Sequence, residues 1–306
     1  MPAENVQVAV VTDSTAYLPP GVAAAHGITV VPLHLTSEDG DALDGVDVTA
    51  DQLAAALSQP RHGVRRRAGI TTSRCTPEQL RAAYTEAMAR SAAPGGGVLA
   101  VHLSRHLSGT WEAARLAEEQ MRAEGSNGAV RVVDSHSAAM GLGFPVLAAA
   151  REAAAGADLD DAYAAAADVA ARCRTVLCVD TLEHLRRGGR IGTAAALLGT
   201  ALSMKPLLHV VDGRIQVLEK VRTSSRALAR LADIAVAAAA DEPTAVAVHH
   251  LGAPERADRL VAELKERTPA LTEVYVSQVG AVVGAHLGPG MVGVVVCPGG
   301  AGDPAA

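Results

Sequence analysis

Blocks of apolar and polar residues alternate through the first half of the chain in a pattern that predicts strands followed by helices. Short runs rich in β-branched residues, at 8–15, 97–104 and 130–135, are almost continuously apolar and end in polar residues. Segments rich in Ala, Leu, Glu and Arg follow, for example at 77–91 and 109–124. Apolar strands alternating with helices are typical of a parallel sheet covered by helices. We therefore predict an α/β, Rossmann-like N-terminal domain.

The pattern changes after residue 156. An Ala-rich helical segment at 157–173 is followed by helices and strands mixed with a hairpin, which the Asp212-Gly213 pair between two alternating runs predicts. These features indicate a C-terminal α+β domain with a mixed sheet, so we place the domains at 1–157 and 158–306.

Two further apolar runs predict particular elements. The run 28–35 predicts one strand. The run 279–296 contains His286, Pro289 and several glycines, and it predicts two short buried strands around a Gly-rich turn instead of a membrane helix.

Composition and charge exclude several classes of protein. Hydrophobic residues make up 49% of the chain and aromatic residues only 2%, so a full aliphatic core is available but base-stacking platforms are scarce. The net charge of −6 disfavours nucleic acid and anionic membranes as main partners. The four cysteines form no C-x-x-C pair and the N-terminus has no basic leader, so we expect a cytoplasmic protein with free thiols.

Common cofactor motifs are absent from the sequence. It contains neither a phosphate-binding G-x-x-x-x-G-K-[ST] loop nor a G-x-S-x-G nucleophile elbow, and the G-x-G at Gly141 and Gly143 lacks its third glycine. His249 and His250 are adjacent on a predicted strand and therefore point to opposite faces. We predict no metal site and no cofactor.

Hydroxyl-rich segments follow four of the predicted strands, at 12–15, 71–73, 104–110 and 134–135. Ligands of open α/β sheets bind at the carboxyl edge of the strands, and hydroxyls beside helix N-termini suit a carboxylate or phosphate. Each hydroxyl alone also fits ordinary helix capping. Arg190 lies in a Gly-rich bend and is either a site cation or a helix C-terminal cation, and Arg222 could equally be a solvated charge. His286 is either a core histidine or a site residue.

These segments, taken in order, carry a family resemblance. The sequence contains VTDST, TTS, HLSGTW, VVDS, LEHLRRGGRIG, KVRTSSRAL and GAHLGPGMVG within residues 6–296. In this order they resemble the DegV family, the fatty-acid-binding subunits of bacterial fatty acid kinase. The combination of GGRI, H-x-GPG and LSGT is the most specific part of the resemblance.

The resemblance implies a two-domain DegV fold with one long-chain fatty acid as ligand, in an apolar tunnel between the domains. The implied ligands of the carboxylate are Thr72, Ser104 and His286. Further candidates for contacts with the head group or a partner are Ser73, Arg190 and Arg222. The chain departs from the family pattern at Arg74, Arg105 and Trp111, where Gln, Ser and Tyr are usual.

The resemblance also implies a partner. A separate ATP-dependent kinase, similar to dihydroxyacetone kinases, would phosphorylate the bound acid to an acyl phosphate for phospholipid metabolism. The chain itself would be a non-catalytic binding subunit, with transient membrane contact compatible with that role.

One alternative is an enzyme, a serine hydrolase of acyl esters that uses Ser104 and His286 with Asp134 or Asp13. Catalytic triads are recognised by geometry and not by chain order, so the missing elbow alone does not exclude it. A self-contained kinase is disfavoured by the missing phosphate loop.

Overall fold

The computed structural model describes residues 7–37, 40–58, 70–91, 96–125, 130–192 and 204–302. The strands within these ranges are β1 (Val8–Asp13), β2 (Thr29–Val31), β3 (His34–Ser37), β4 (Gly40–Leu43), β5 (Thr71–Ser73), β6 (Gly97–His102), β7 (Val130–Asp134), β8 (Arg174–Cys178), β9 (Lys205–Val211), β10 (Arg214–Val221), β11 (Thr244–His250), β12 (Leu271–Gln278) and β13 (Val292–Pro298). The helices are α1 (Val22–Ala25), α2 (Ala50–Ser58), α3 (Pro77–Met88), α4 (Thr110–Ala123), α5 (Met140–Ala154), α6 (Leu159–Arg172), α7 (Glu183–Arg187), α8 (Ser224–Ala239), α9 (Pro254–Arg267) and α10 (Ala281–Leu287).

The chain divides into two compact units. The first unit comprises Met1–Val31, Arg74–Cys173 and Gly299–Ala306, and the second comprises Pro32–Ser73 and Arg174–Pro298. The expected boundary at residues 157 and 158 lies between α5 and α6, but α6 packs against α5 and remains in the first unit. The buried Ala162 and Ala166 are small enough to allow this close approach of the two helices.

The first unit contains a parallel sheet in the order β2-β1-β6-β7. Strands β1 and β6 are buried along their whole length, as their continuous apolar pattern predicts. Helices α3, α4, α5 and α6 pack against the sheet. Helix α3 begins with a capping box in which Thr76 and Gln79 bind each other's backbone N–H groups. The predicted parallel-sheet architecture is confirmed.

The second unit contains a mixed sheet in the order β10-β9-β8-β13-β11-β12, which confirms the predicted α+β character. Only the β11–β12 pair in this described sheet is parallel. The predicted hairpin joins β9 and β10, and both of its central residues, Asp212 and Gly213, have positive φ. That conformation matches the twist of a two-residue hairpin and explains the Asp-Gly pair. A smaller antiparallel sheet has the order β4-β3-β5.

Three local predictions were wrong. The run 28–35 is not one strand, because it divides at Pro32, which has no backbone N–H, into β2 of the first unit and β3 of the second. The run 279–296 forms helix α10 and strand β13 instead of two strands. Residues 71–73 are themselves strand β5 of the small antiparallel sheet, so they do not follow a strand of the parallel sheet as the pattern predicts.

Candidate functional site

A hydrogen bond joins two of the predicted site residues in the second unit. Thr72 Oγ1 and His286 Nε2 are 2.9 Å apart, although 214 residues separate them in the chain. Thr72 is the central residue of β5 and pairs with Leu35 of β3, while His286 lies in the last turn of α10. Both side chains are partly buried. The small sheet and α10 therefore bring a hydroxyl and an imidazole together.

The position of α10 depends on a buried carboxylate from a distant part of the chain. Gly280, the N-cap residue, has no side chain to cap the helix. Asp44 is only 2% exposed, and its Oδ1 accepts a hydrogen bond from the Ala281 N–H at 2.7 Å. Leu53 of α2 packs against Gly284, where a Cβ atom would collide with it. The segment that contains the small sheet and α2 thus holds the helix that carries His286.

The other side of the His286 ring faces the Gly-rich bend after α7. Gly188 packs so close to the Nδ1 edge of the ring that a Cβ atom there would overlap it. Arg190 is held nearby, because its Nη1 donates to the Gly188 carbonyl at 2.6 Å. His184 of α7 packs in the same way against Gly288, which has a φ of +79°. The predicted GGR segment therefore belongs to the surroundings of His286.

Electrostatics keep His286 uncharged at neutral pH. Burial lowers the pKa of the ring to about 4, with further lowering by the positive charge of Arg190 and by His184. A neutral imidazole has a single N–H donor, so when Nε2–H donates to Thr72 Oγ1, the Thr72 hydroxyl keeps its own proton for a ligand. With Arg190 as the nearby cation, this arrangement suits a carboxylate or another small anion.

Two of the further candidates are more exposed. Ser73 is the last residue of β5 and pairs with His34. Arg222 lies between β10 and Thr223, the N-cap residue of α8. Within the described part of the chain, no side-chain hydrogen bond or ion pair links Ser73 or Arg222 to Thr72 or His286.

Ser104 lies in the first unit, in the turn between β6 and α4. It is fully buried, its N–H donates to the Ser137 carbonyl at 2.8 Å, and its Oγ accepts from the His106 N–H at 3.1 Å. Its own carbonyl accepts from Leu107 and Ser108. The backbone bonds fix the turn at the carboxyl edge of the parallel sheet, and the bond from His106 orients the Ser104 hydroxyl oxygen.

The three residues that depart from the family pattern surround the same turn. The Arg105 guanidinium lies 5.1 Å from the centre of the Trp111 ring and 3.3 Å from Asp134 Oδ2. The Arg74 side chain packs against Gly109, the residue before α4. Arg105 therefore places a positive charge directly after Ser104, paired with Asp134, and Arg74 places another beside Gly109.

Sequence reasoning missed a buried polar network below this turn. Asp13 accepts hydrogen bonds from His102 Nδ1 and from the Leu103 N–H, each at 3.0 Å, and Tyr84 Oη lies 2.8 Å from His102 Nε2. The available signal was a histidine at the end of an otherwise apolar strand, since a buried imidazole requires partners.

The contacts of His286 do not favour the hydrolase alternative. Asp13 binds His102 instead, and Asp134 pairs with Arg105. No carboxylate is hydrogen-bonded to His286 among the residues that the structure describes. A triad histidine needs a carboxylate to orient it, and here Gly188 occupies the Nδ1 side.

The described ranges contain neither a candidate metal site nor a candidate membrane span. No three His, Cys, Asp or Glu side chains there are grouped so that they could hold a metal ion. No helix in those ranges is long and apolar enough to cross a membrane.

The Asp44 cap allows a stability prediction. We expect Asp44→Ala to lower the free energy of unfolding by about 2 kcal/mol, because the first N–H groups of α10 lose a buried acceptor. Urea denaturation followed by circular dichroism measures the change. The matched control is Asp51→Ala, which removes an exposed carboxylate bonded to Gln278 and should cost well under half as much. Equal losses in the two variants would contradict the capping role.

Comparisons with known proteins agree with this fold. The model of the DegV family of uncharacterised proteins matches residues 7–299. A DegV domain-containing protein of Streptomyces coelicolor is 48% identical over 289 residues, which is 94% of this chain and 98% of that protein.

Two solved structures are similar over nearly their whole length. One, described as showing fatty acid binding of a DegV family protein from Thermus thermophilus, has a TM-score of 0.85 and 30% identity and covers 95% of this chain and 99% of its own. The other, DegV of Bacillus subtilis, described as a fatty acid binding protein, has a TM-score of 0.81 and 30% identity, with 96% and 99% covered. The family match, the identity to relatives and the shared fold lead to one conclusion: this chain belongs to the DegV family.

Proposed function

We propose that the protein binds one long-chain fatty acid and holds its carboxylate with Thr72, Ser104 and His286. The observation that carries this proposal is the hydrogen bond between Thr72 and His286 in a partly buried position near Arg190. The fatty acid binding described for the Thermus and Bacillus relatives supports the same ligand.

The tail and the head group of the fatty acid contribute to binding in different ways. Each buried methylene contributes about 0.8 kcal/mol, so a tail of about sixteen carbons supplies most of the affinity before ordering costs. A carboxylate taken out of water needs several donors, or it becomes protonated. The Thr72 and Ser104 hydroxyls donate to the acid, and His286, which is hydrogen-bonded to Thr72, holds the Thr72 hydroxyl in place and so fixes the orientation of the acid.

We also propose a reaction for the bound acid. The chain acts as a non-catalytic subunit that presents the carboxylate to a separate ATP-dependent kinase, which forms the acyl phosphate. The order of the sequence motifs and the lack of a phosphate-binding loop in the sequence support this division of labour. Arg190 and Arg222 are the proposed cations for the head group or the partner surface.

Ligand identification tests the binding proposal. Protein purified from a bacterial host and denatured for mass spectrometry is expected to release one equivalent of fatty acid. After removal of lipid, titration should show much tighter binding of palmitate than of its methyl ester, which has the same tail and no free carboxylate. Equal affinities would contradict the head-group assignment, and absence of palmitate binding would contradict the function.

A coupled assay tests the kinase step separately. The protein loaded with palmitate, a fatty acid kinase subunit and ATP are expected to form an acyl phosphate that hydroxylamine traps as a hydroxamate. Omitting the kinase should abolish the product. Product formation by the chain and ATP alone would contradict its non-catalytic role.

A further inference from the structure

A fully buried polar network lies directly beneath the Ser104 turn in the first unit. Asp13, Tyr84 and His102 are all at 0% exposure, at the end of β1, on α3 and at the end of β6. Tyr84 Oη lies 2.8 Å from His102 Nε2, and His102 Nδ1 lies 3.0 Å from Asp13 Oδ2. None of the three is among the proposed ligands of the carboxylate.

Hydrogen-bond accounting assigns the protons in this network. The Asp13 carboxylate accepts from Thr15 N, Thr15 Oγ1, His102 Nδ1 and Leu103 N, so every group that faces it is a donor. His102 therefore carries its proton on Nδ1, and its Nε2 accepts the proton of Tyr84. Burial, together with Cys75 and Asp13 nearby, raises the pKa of Tyr84 well above its usual value, so the phenol remains a donor.

The network is attached to the backbone directly before Ser104. Asp13 Oδ2 binds the N–H of Leu103, the residue before Ser104. The His102 carbonyl accepts from Ser135, and the Ser104 N–H donates to Ser137, so the loop after β7 is tied to the same turn. A shift of His102 would therefore move the backbone from which the Ser104 hydroxyl projects.

We propose that Asp13, His102 and Tyr84 are positioning residues that fix the Ser104 hydroxyl for the carboxylate of the fatty acid. This inference rests on the proposed function. None of the three residues is a proposed ligand, so a positioning role predicts that their effect on affinity depends on the Ser104 hydroxyl, whereas a general contribution to stability does not. A buried, fully satisfied network of this kind specifies one geometry more strictly than apolar packing does.

A double-mutant cycle in the whole, delipidated protein tests the inference, with palmitate as the probe. Tyr84→Phe removes one hydroxyl and keeps the ring. We expect it to weaken palmitate binding about fivefold and Ser104→Ala to weaken it about tenfold. The double variant should bind within twofold of Ser104→Ala alone, because without the serine hydroxyl nothing remains to be positioned. Tyr163→Phe is the matched control, since the Tyr163 ring packs under Arg131 at the surface, and its affinity should be unchanged.

A spectroscopic measurement supplements the cycle. ¹⁵N NMR of the histidine side chains is expected to show His102 with its proton on Nδ1 in the wild type, and a shifted Nε2 signal in Tyr84→Phe.

The possible failures are distinguishable. If Tyr84→Phe leaves the affinity unchanged, or weakens it fivefold both in the wild type and in the Ser104→Ala variant, the positioning role is overturned and the fatty acid function stands. If His102 carries its proton on Nε2, the network as assigned is overturned. If Ser104→Ala has no effect, both the positioning role and the assignment of Ser104 to the carboxylate are overturned.

Discussion

Replacing Thr72 by valine is expected to weaken palmitate binding by about thirtyfold, the largest effect on affinity that we predict for a single substitution. Valine keeps the β-branched shape that suits β5 but removes the hydroxyl that pairs with His286 at 2.9 Å. A hydrogen bond to a charged group contributes about 2 kcal/mol, and 1.4 kcal/mol corresponds to a tenfold change in the dissociation constant. Fluorescence displacement or calorimetry on delipidated protein measures the change.

The strand provides its own control for this prediction. Thr71 precedes Thr72 on β5 and is exposed, and its hydroxyl contacts the Thr36 carbonyl instead of the histidine. Thr71→Val should therefore leave the affinity within twofold of the wild type. The methyl ester of palmitate should bind equally to the Thr72→Val variant and the wild type. A thirtyfold loss with the ester as well would show that the substitution disturbs tail binding, and an unchanged palmitate affinity would remove Thr72 from the site.

Local periodicity accounts for the parts of the fold that the sequence predicts. The continuously apolar β6 and the alternating runs of β9 and β10 each carry their own pattern, and the turn residues between β9 and β10 match the observed backbone. Elements of this kind are determined mainly by residues close together in the chain, so the local pattern of apolar and polar residues is sufficient to predict them.

The errors occur where distant contacts decide the structure. The segment before Gly288 is rich in Val, Ala and Gly and has no capping side chain of its own, yet it forms α10 because Asp44, 237 residues away, accepts its first N–H. Likewise, Pro32 is a signal for a break in the run 28–35, but the local pattern does not indicate that β2 and β3 join different sheets. Tertiary context overrides local pattern in both places.

In the candidate site as well, some features follow from the local sequence and others depend on distant contacts. The hydroxyl of Thr72, the imidazole of His286 and the GGR segment were recognisable from their motifs, while the packing between them was not. His184 lies on α7 and Gly188 in the bend that follows it. Gly188 packs against the His286 ring, and His184 packs against Gly288. The Asp13–His102 pair cannot be predicted from local pattern, because it depends on the register of β1 against β6.

The low pKa of His286 leads to the second large prediction, a loss of stability in mild acid. The ring has a pKa of about 4 in the folded protein, through burial and then through Arg190 and His184, against an ordinary value of 6.5 when unfolded. Between these values the unfolded chain binds a proton that the folded chain does not, so stability falls as the pH falls. The contribution is fully present above pH 6.5 and lost at about pH 4, and it amounts to about 3 kcal/mol.

Comparison of the wild type with His286→Gln isolates this contribution. The free energy of unfolding of the delipidated protein, measured by urea titration from pH 7 to pH 4, should fall less steeply in the variant. Part of the slope should remain, because burial also lowers the pKa of His249 to about 4. The exposed His106 provides the control, and His106→Gln should keep the wild-type slope. An identical pH dependence in the wild type and His286→Gln would mean that the ring is solvated when folded, and a solvated ring could not hold a carboxylate out of water together with Thr72.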